Sequence, residues 1–151
     1  MISMKIEDVK SFMSELLSGS MFDRFLITEA QVKTFVQTRI SGAVLRDWYS
    51  EDELEKDEQL EEYVRWKQIR PIVFQLVKGK KVPQSLILHF VCKKKNKDVG
   101  AIQIQYEEKQ LRMITAYSTA EFTLDKSAEF EWDEQCRNFL KGHRIAFREE
   151  K

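Results

Sequence analysis

The sequence predicts a single α+β domain in which three helices pack on a mainly antiparallel sheet of about five to six strands. Three observations predict it. Apolar residues recur at helical spacing in three separated stretches. In other stretches they alternate at period two. The links between alternating stretches are only a few residues long, which favours antiparallel neighbours. The chain of 151 residues has the length of one domain, so residues 1–151 are read as one unit with one core.

The first helix is expected over Met4 to Leu17, where Ile6, Val9, Phe12, Met13, Leu16 and Leu17 form one stripe and Gly19 ends it. Met1 to Ile6 could instead open as a short strand. Ala30, Val32, Thr34, Val36, Thr38 and Ile40 alternate, which predicts a half-buried strand, with a turn at Ser41-Gly42 and a return strand over Ala43 to Trp48. Phe35 falls out of phase, on the polar face. Residues 50–62 read as an acidic linker or solvated helical turn, opened by a capping box from Ser50 to Glu53.

Tyr63 to Lys78 is the second predicted helix, with Val64, Ile69, Ile72, Val73, Leu76 and Val77 as core candidates. Pro71 should kink it, or else mark a start near Arg70, because proline has no amide hydrogen and clashes one turn back. Leu86, Leu88, Phe90 and Cys92 share one face of a strand, and Ile87, His89 and Val91 the other. Ile102, Ile104 and Tyr106 form the next, and Leu111, Met113, Thr115 and Tyr117 follow after a tight turn at Glu107 to Gln110. Glu121 to Leu124 is expected to extend this strand or add another. The last helix is capped by Asp125, docks Trp132 on the sheet and stops at Gly142; Ile145 to Phe147 can add an edge strand. Helix-then-strands thus occurs twice, at about 4–48 and 63–124. That order resembles the tandem helix/strand units of DNA sliding clamps, an alternative reading of the fold.

Charge is segregated although the formal net is zero. Glu51 to Glu62 holds eight acids against one base, a net of −7, while Arg65 to Lys97 holds ten bases and no acid, a net of +10. No stretch approaches the roughly 18 apolar residues of a membrane span, and MISMKIEDVKSFM lacks the uninterrupted apolar run of a signal peptide, so a cytoplasmic protein away from membranes is expected.

Catalytic signatures are sparse. The chain has no glycine-rich phosphate loop, no GxSxG, no HExxH and no paired CxxC, so no metal, cofactor or reaction is indicated. His89 reads as a hydrogen-bonded core residue, His143 as a helix cap, and Cys92 and Cys136 as free thiols. The candidate binding residues are Tyr63, Trp66 and Arg70, which can share a helix face and set an aromatic beside a guanidinium, an arrangement as common in core supports as at interfaces, with the cations Lys78, Lys80 and Lys81, which the C-terminal dipole of the second helix explains equally well. A second basic cluster, Lys93 to Lys97, should lie about 30 Å away at the far end of a strand, as a hairpin tip.

The stretches WKQIRPIVFQLVKGKKVPQSLILHF, MISMKIEDVKSFMSELL and TLDKSAEFEWDEQCRNFLKGHRIAF resemble a family of small uncharacterised bacterial proteins, mainly clostridial, a domain of unknown function. The resemblance spans nearly the whole chain. It implies a cytoplasmic single-domain protein and transfers no catalytic residue.

Missing catalytic motifs and segregated charge point first to a non-enzymatic interaction protein whose partner is another protein, an antitoxin-like inhibitor being one concrete form. Nucleic-acid association, clamp-like or otherwise, ranks second, since the overall charge is zero. A small-ligand pocket lined by His89 or Arg70 ranks third. The acidic segment folding over the basic one would need no external partner.

Overall fold

A computed structural model describes residues 1–56, 60–79 and 81–150. Among them are seven strands and four α-helices. They run β1 (Ser3–Ile6), α1 (Val9–Ser18), β2 (Leu26–Lys33), β3 (Gln37–Ser41), α2 (Glu51–Lys56), α3 (Trp66–Val77), β4 (Ser85–Lys93), β5 (Val99–Glu107), β6 (Gln110–Ser118), α4 (Ser127–Gly142) and β7 (Phe147–Glu150). The strands form one sheet in the order β3-β2-β4-β5-β6-β1-β7, and every neighbouring pair is antiparallel. The two helix-then-strand runs therefore do not stand as separate tandem units; they meet where β2 pairs with β4.

The pleat explains which face is covered. Ala30, Leu88, Ile104, Met113 and Met4 lie in register across five strands, and all are fully buried. With Phe12 and Leu16 of α1, Trp66 and Val73 of α3, and Trp132, Cys136 and Leu140 of α4, they form one core cluster. The neighbouring row, Glu29, His89, Gln103, Ile114 and Ser3, points to the opposite face and is half-buried. His89 is thus a residue of the open sheet face, not of the core. No helix among the described residues is long and apolar enough to cross a membrane.

Several local expectations change for physical reasons. Met4 and Ile6 bury at period two in β1, and the first helix starts only at Val9, where Asp8 Oδ1 accepts the Ser11 N–H at 3.0 Å. Gly19 is its C-cap, as expected. The β2–β3 reversal falls at 34–36, not at Ser41-Gly42, so the out-of-phase Phe35 is a turn tip, 94% exposed. Gly42 instead lies against β2: a Cβ there would sit 1.7 Å from the Ile27 carbonyl oxygen. Beyond it, Ala43 makes a single bridge to Tyr63 and Arg46–Trp48 forms a 3₁₀ turn, so no return strand follows.

The capping box before α2 is realised in both directions: Ser50 N–H donates to Glu53 Oε1 (3.0 Å) and Glu53 N–H to Ser50 Oγ (3.1 Å). Helix α3 begins at Trp66, which leaves Pro71 in its second turn instead of at its start. The stripe buried there is Trp66, Ile69, Val73, Leu76 and Val77; Ile72 falls off that stripe and is half exposed. Residues 121–124 form no strand, because β6 ends where the Tyr117 hydroxyl and the Ala120 N–H both bond to Asp98; Phe122 and Leu124 point into solvent. The N-cap of α4 is Lys126, not Asp125, and makes no side-chain cap bond; Asp125 Oδ1 accepts the Ser127 N–H from one residue further out. At its other end Gly142 is still helical, and the left-handed residue is Arg144 (φ 58°), with Ile145 N–H bonded to Leu140 O and Arg144 N–H to Lys141 O.

Trp132 docks as expected, 5% exposed, its Nε1 donating to Ala101 O at 3.2 Å. It lies on Gly100, where a Cβ would come within 2.6 Å of the indole. Trp132→Ala should cost about 3–5 kcal/mol of unfolding free energy, and Gly100→Ala about 1–3 kcal/mol by overpacking the same contact. Chemical denaturation checks both; a neutral Gly100→Ala would contradict this packing.

Candidate functional site: a lysine-rimmed cleft at one end of the sheet

Three connections converge at the end of the sheet where β2 finishes and β4 begins. The β2–β3 turn supplies Lys33, Thr34 and Phe35, the α3–β4 segment supplies Leu76 to Lys78 and Lys81 to Ser85, and the β5–β6 turn supplies Tyr106 to Lys109. Gly79 turns the chain out of α3 at φ 134°, a conformation that side-chain-bearing residues rarely adopt. Gln84 N–H then bonds to Lys33 O at 2.8 Å and fixes the segment beside β2. The β5–β6 reversal has positive φ at both Glu108 (52°) and Lys109 (62°), the geometry of a tight two-residue hairpin.

Between them lies an open cleft of about 890 Å³. Leu76, Val77, Pro83 and Tyr106 give it an apolar floor, and the exposed Phe35 and Val82 stand at its edge. Among the described residues its lining holds four lysines, Lys33, Lys78, Lys81 and Lys109, against two acids, Glu107 and Glu108, a net of +2. None of the four lysines forms an ion pair among the described residues. Tyr106 is only 6% exposed. Apolar floor and cationic rim together suit a ligand that is anionic and partly apolar.

Of the sequence-predicted site residues, Lys78 and Lys81 are on this rim. Lys80 lies outside the described residues. The other three do not join them. Trp66 is fully buried, its Nε1 donating to Leu16 O at 3.0 Å and its ring set edge-on to Phe90 at 5.5 Å. Arg70 is spent on Asp23, with Nε–Oδ1 at 3.0 Å and Nη2–Oδ2 at 3.1 Å. Tyr63 is half-buried and its backbone bridges Ala43. All three anchor the fold. Sequence reasoning missed Lys33, Tyr106 and Lys109, which belong to strand ends far apart in the chain; the misfit of Phe35 was the one local signal.

The second basic cluster is at the opposite end of β4, so the two make no continuous patch. Lys93 pairs with Glu61 at 2.7 Å; that hydrogen bond raises the lysine pKa and lowers that of the glutamate. Lys94 donates to Gln135 at 2.8 Å and sits over the Trp132 ring at 4.5 Å. Burial pushes the Cys136 thiol up to about 12, which leaves it protonated and poorly nucleophilic. His143 packs on Phe139 with ring centroids 4.7 Å apart. Among the described residues no three His, Cys, Asp or Glu side chains gather as a metal-ligand set.

Two substitutions test these assignments. Arg70→Ala should lower stability by about 1–3 kcal/mol by leaving Asp23 unpaired, without changing binding at the cleft. At the other end of the sheet, the Tyr117 hydroxyl donates to Asp98 at 2.7 Å, which holds the phenol up to about 12. The bond therefore stabilises the fold below the ordinary phenol pKa and is lost as pH rises through about 12. A ring-carbon NMR titration should show Asp98→Asn returning Tyr117 toward the ordinary value of about 10.

A model of a family of unknown function, DUF5721, matches residues 15–100 and 98–148. No curated protein and no solved structure matches the chain. Those two segments cover most of the sequence, including all of α3, β4 and the cleft they frame, so the chain belongs to the DUF5721 family.

Proposed function

We propose that this chain is a non-enzymatic, cytoplasmic binding protein and that the lysine-rimmed cleft holds an acidic, amphipathic segment of a protein partner. The observation that carries this reading is the coincidence of four lysines without ion-pair partners, among the described residues, with an apolar floor. Exposed lysines alone would be ordinary surface. Beside Leu76, Val77 and Tyr106 they can neutralise carboxylates as apolar side chains leave water, where pairing is less screened than at an open surface. An antitoxin-like inhibitor of a partner protein is one form such a role takes. Nucleic acid is a weaker fit: Lys93 and Lys94 are engaged at the far end, and the chain has no net positive charge.

Fluorescence anisotropy with a labelled acidic amphipathic peptide tests the reading. Binding should weaken with salt and fall about tenfold or more in the Lys78→Glu, Lys81→Glu double variant. Lys95→Glu, at the opposite end of the sheet, should leave it unchanged. Peptide binding indifferent to the cleft variant, or tighter binding of single-stranded DNA, would contradict the proposal.

A further inference from the structure

We infer that the cleft is filled by the acidic end of a second copy of this chain, giving a head-to-tail contact. This rests on the cleft being a site for acidic amphipathic segments and names the segment. Residues 45–56 have the required chemistry. Leu45 and Trp48 are 73% and 79% exposed. Asp47, Glu51, Asp52 and Glu55 are exposed and form no ion pair among the described residues. With Glu53 they make five acids against Arg46 and Lys56, a net of −3 to meet the +2 of the cleft lining. The segment is already folded: the Ser50–Glu53 box caps α2, and Trp48 packs edge-on against Tyr49 with centroids 5.4 Å apart. A preorganised segment loses less conformational entropy on docking.

Topology rules out the same copy as donor. The acidic segment leaves the sheet at the start of β2, where Leu26 bridges Arg65, Gly42 N–H bonds to Thr28 O and Glu61 reaches Lys93 at the end of β4. The cleft is at the other end of both strands, at Lys33 and Ser85. The eight residues of β2 separate the two by about 25 Å. Each copy thus presents a cationic apolar recess at one end and, at the other, beside the Lys93–Lys97 turn, an acidic aromatic segment. A contact between unlike patches leaves one of each free, so association continues or closes into a ring.

Sedimentation velocity tests this on the intact chain. Wild-type protein should associate with rising concentration at low ionic strength and return to monomer near 1 M salt, where the Debye length is about 3 Å. Lys78→Glu with Lys81→Glu, and separately Glu51→Lys with Asp52→Lys, should each weaken association about tenfold or more. Mixing the two double variants should restore one contact and give a 1:1 heterodimer, since each retains the half the other lacks, and that recovery also shows that both are folded. A wild-type chain that stays monomeric at low salt and high concentration overturns the inference, as does association untouched by either pair. Either result leaves the peptide measurement standing or falling on its own, so the self-contact and the general binding site fail separately.

Discussion

Phe22 ties the layers of this protein together. It lies between α1 and β2, is fully buried, and stacks on Phe90 of β4 with ring centroids 5.1 Å apart and an interplanar angle of 11°. It also meets Phe12 of α1 edge-on at 5.9 Å, Phe25 at 5.4 Å and Phe139 of α4 at 5.2 Å. Phe90 in turn takes the edge of Trp66, which opens α3. One ring therefore couples two helices and the sheet directly, and the third helix through a shared neighbour. Such pairs add about 0.5–1.5 kcal/mol each beyond the area they bury.

That anchoring sets where the cleft can form. The N-terminal end of α3 is held by Trp66 in the core and by the Arg70–Asp23 pair. Its C-terminal turn then projects to the sheet end, beside Lys33 and the β5–β6 hairpin. At the other end the Glu61–Lys93 pair holds the acidic segment near the close of β4. An exposed pair of this kind contributes at most about 1 kcal/mol to stability. Backbone bonds fix the ends of the segment there as well, Val44 N–H to Glu62 O and Val64 N–H to Gly42 O, both at 2.9 Å.

Sequence and structure agree best where a single periodicity runs unbroken. The alternation of β4 to β6 and the stripes of α1 and α4 are long enough to fix both element and buried face, so Leu88, Ile104, Met113 and Trp132 meet in one core as their spacing requires. Short strands carry too few residues to show a period; β1 and β7 read only as options beside a helix and a tail. The β2–β3 turn was displaced because Thr34 and Val36 are β-branched and continue the strand pattern through the reversal, leaving Phe35 alone to mark it. Trp66 and Arg70 read either as interface anchors or as core supports, because no local pattern reveals Asp23 or the Leu16 carbonyl as their partners. The cleft was half legible: Lys78 and Lys81 are a visible cluster, whereas Lys33, Tyr106 and Lys109 reach it only through strand pairings that no sequence window spans.

The account turns on one location, the junction of the three connections at the β2–β4 end of the sheet. Mapping amide chemical-shift changes of the isotopically labelled chain during titration with the acidic amphipathic peptide examines that location directly. Changes confined to residues around Lys33 to Phe35, Leu76 to Ser85 and Tyr106 to Lys109 are the predicted result. Changes centred on the open sheet face, at His89, Gln103 and Ile114, would contradict it.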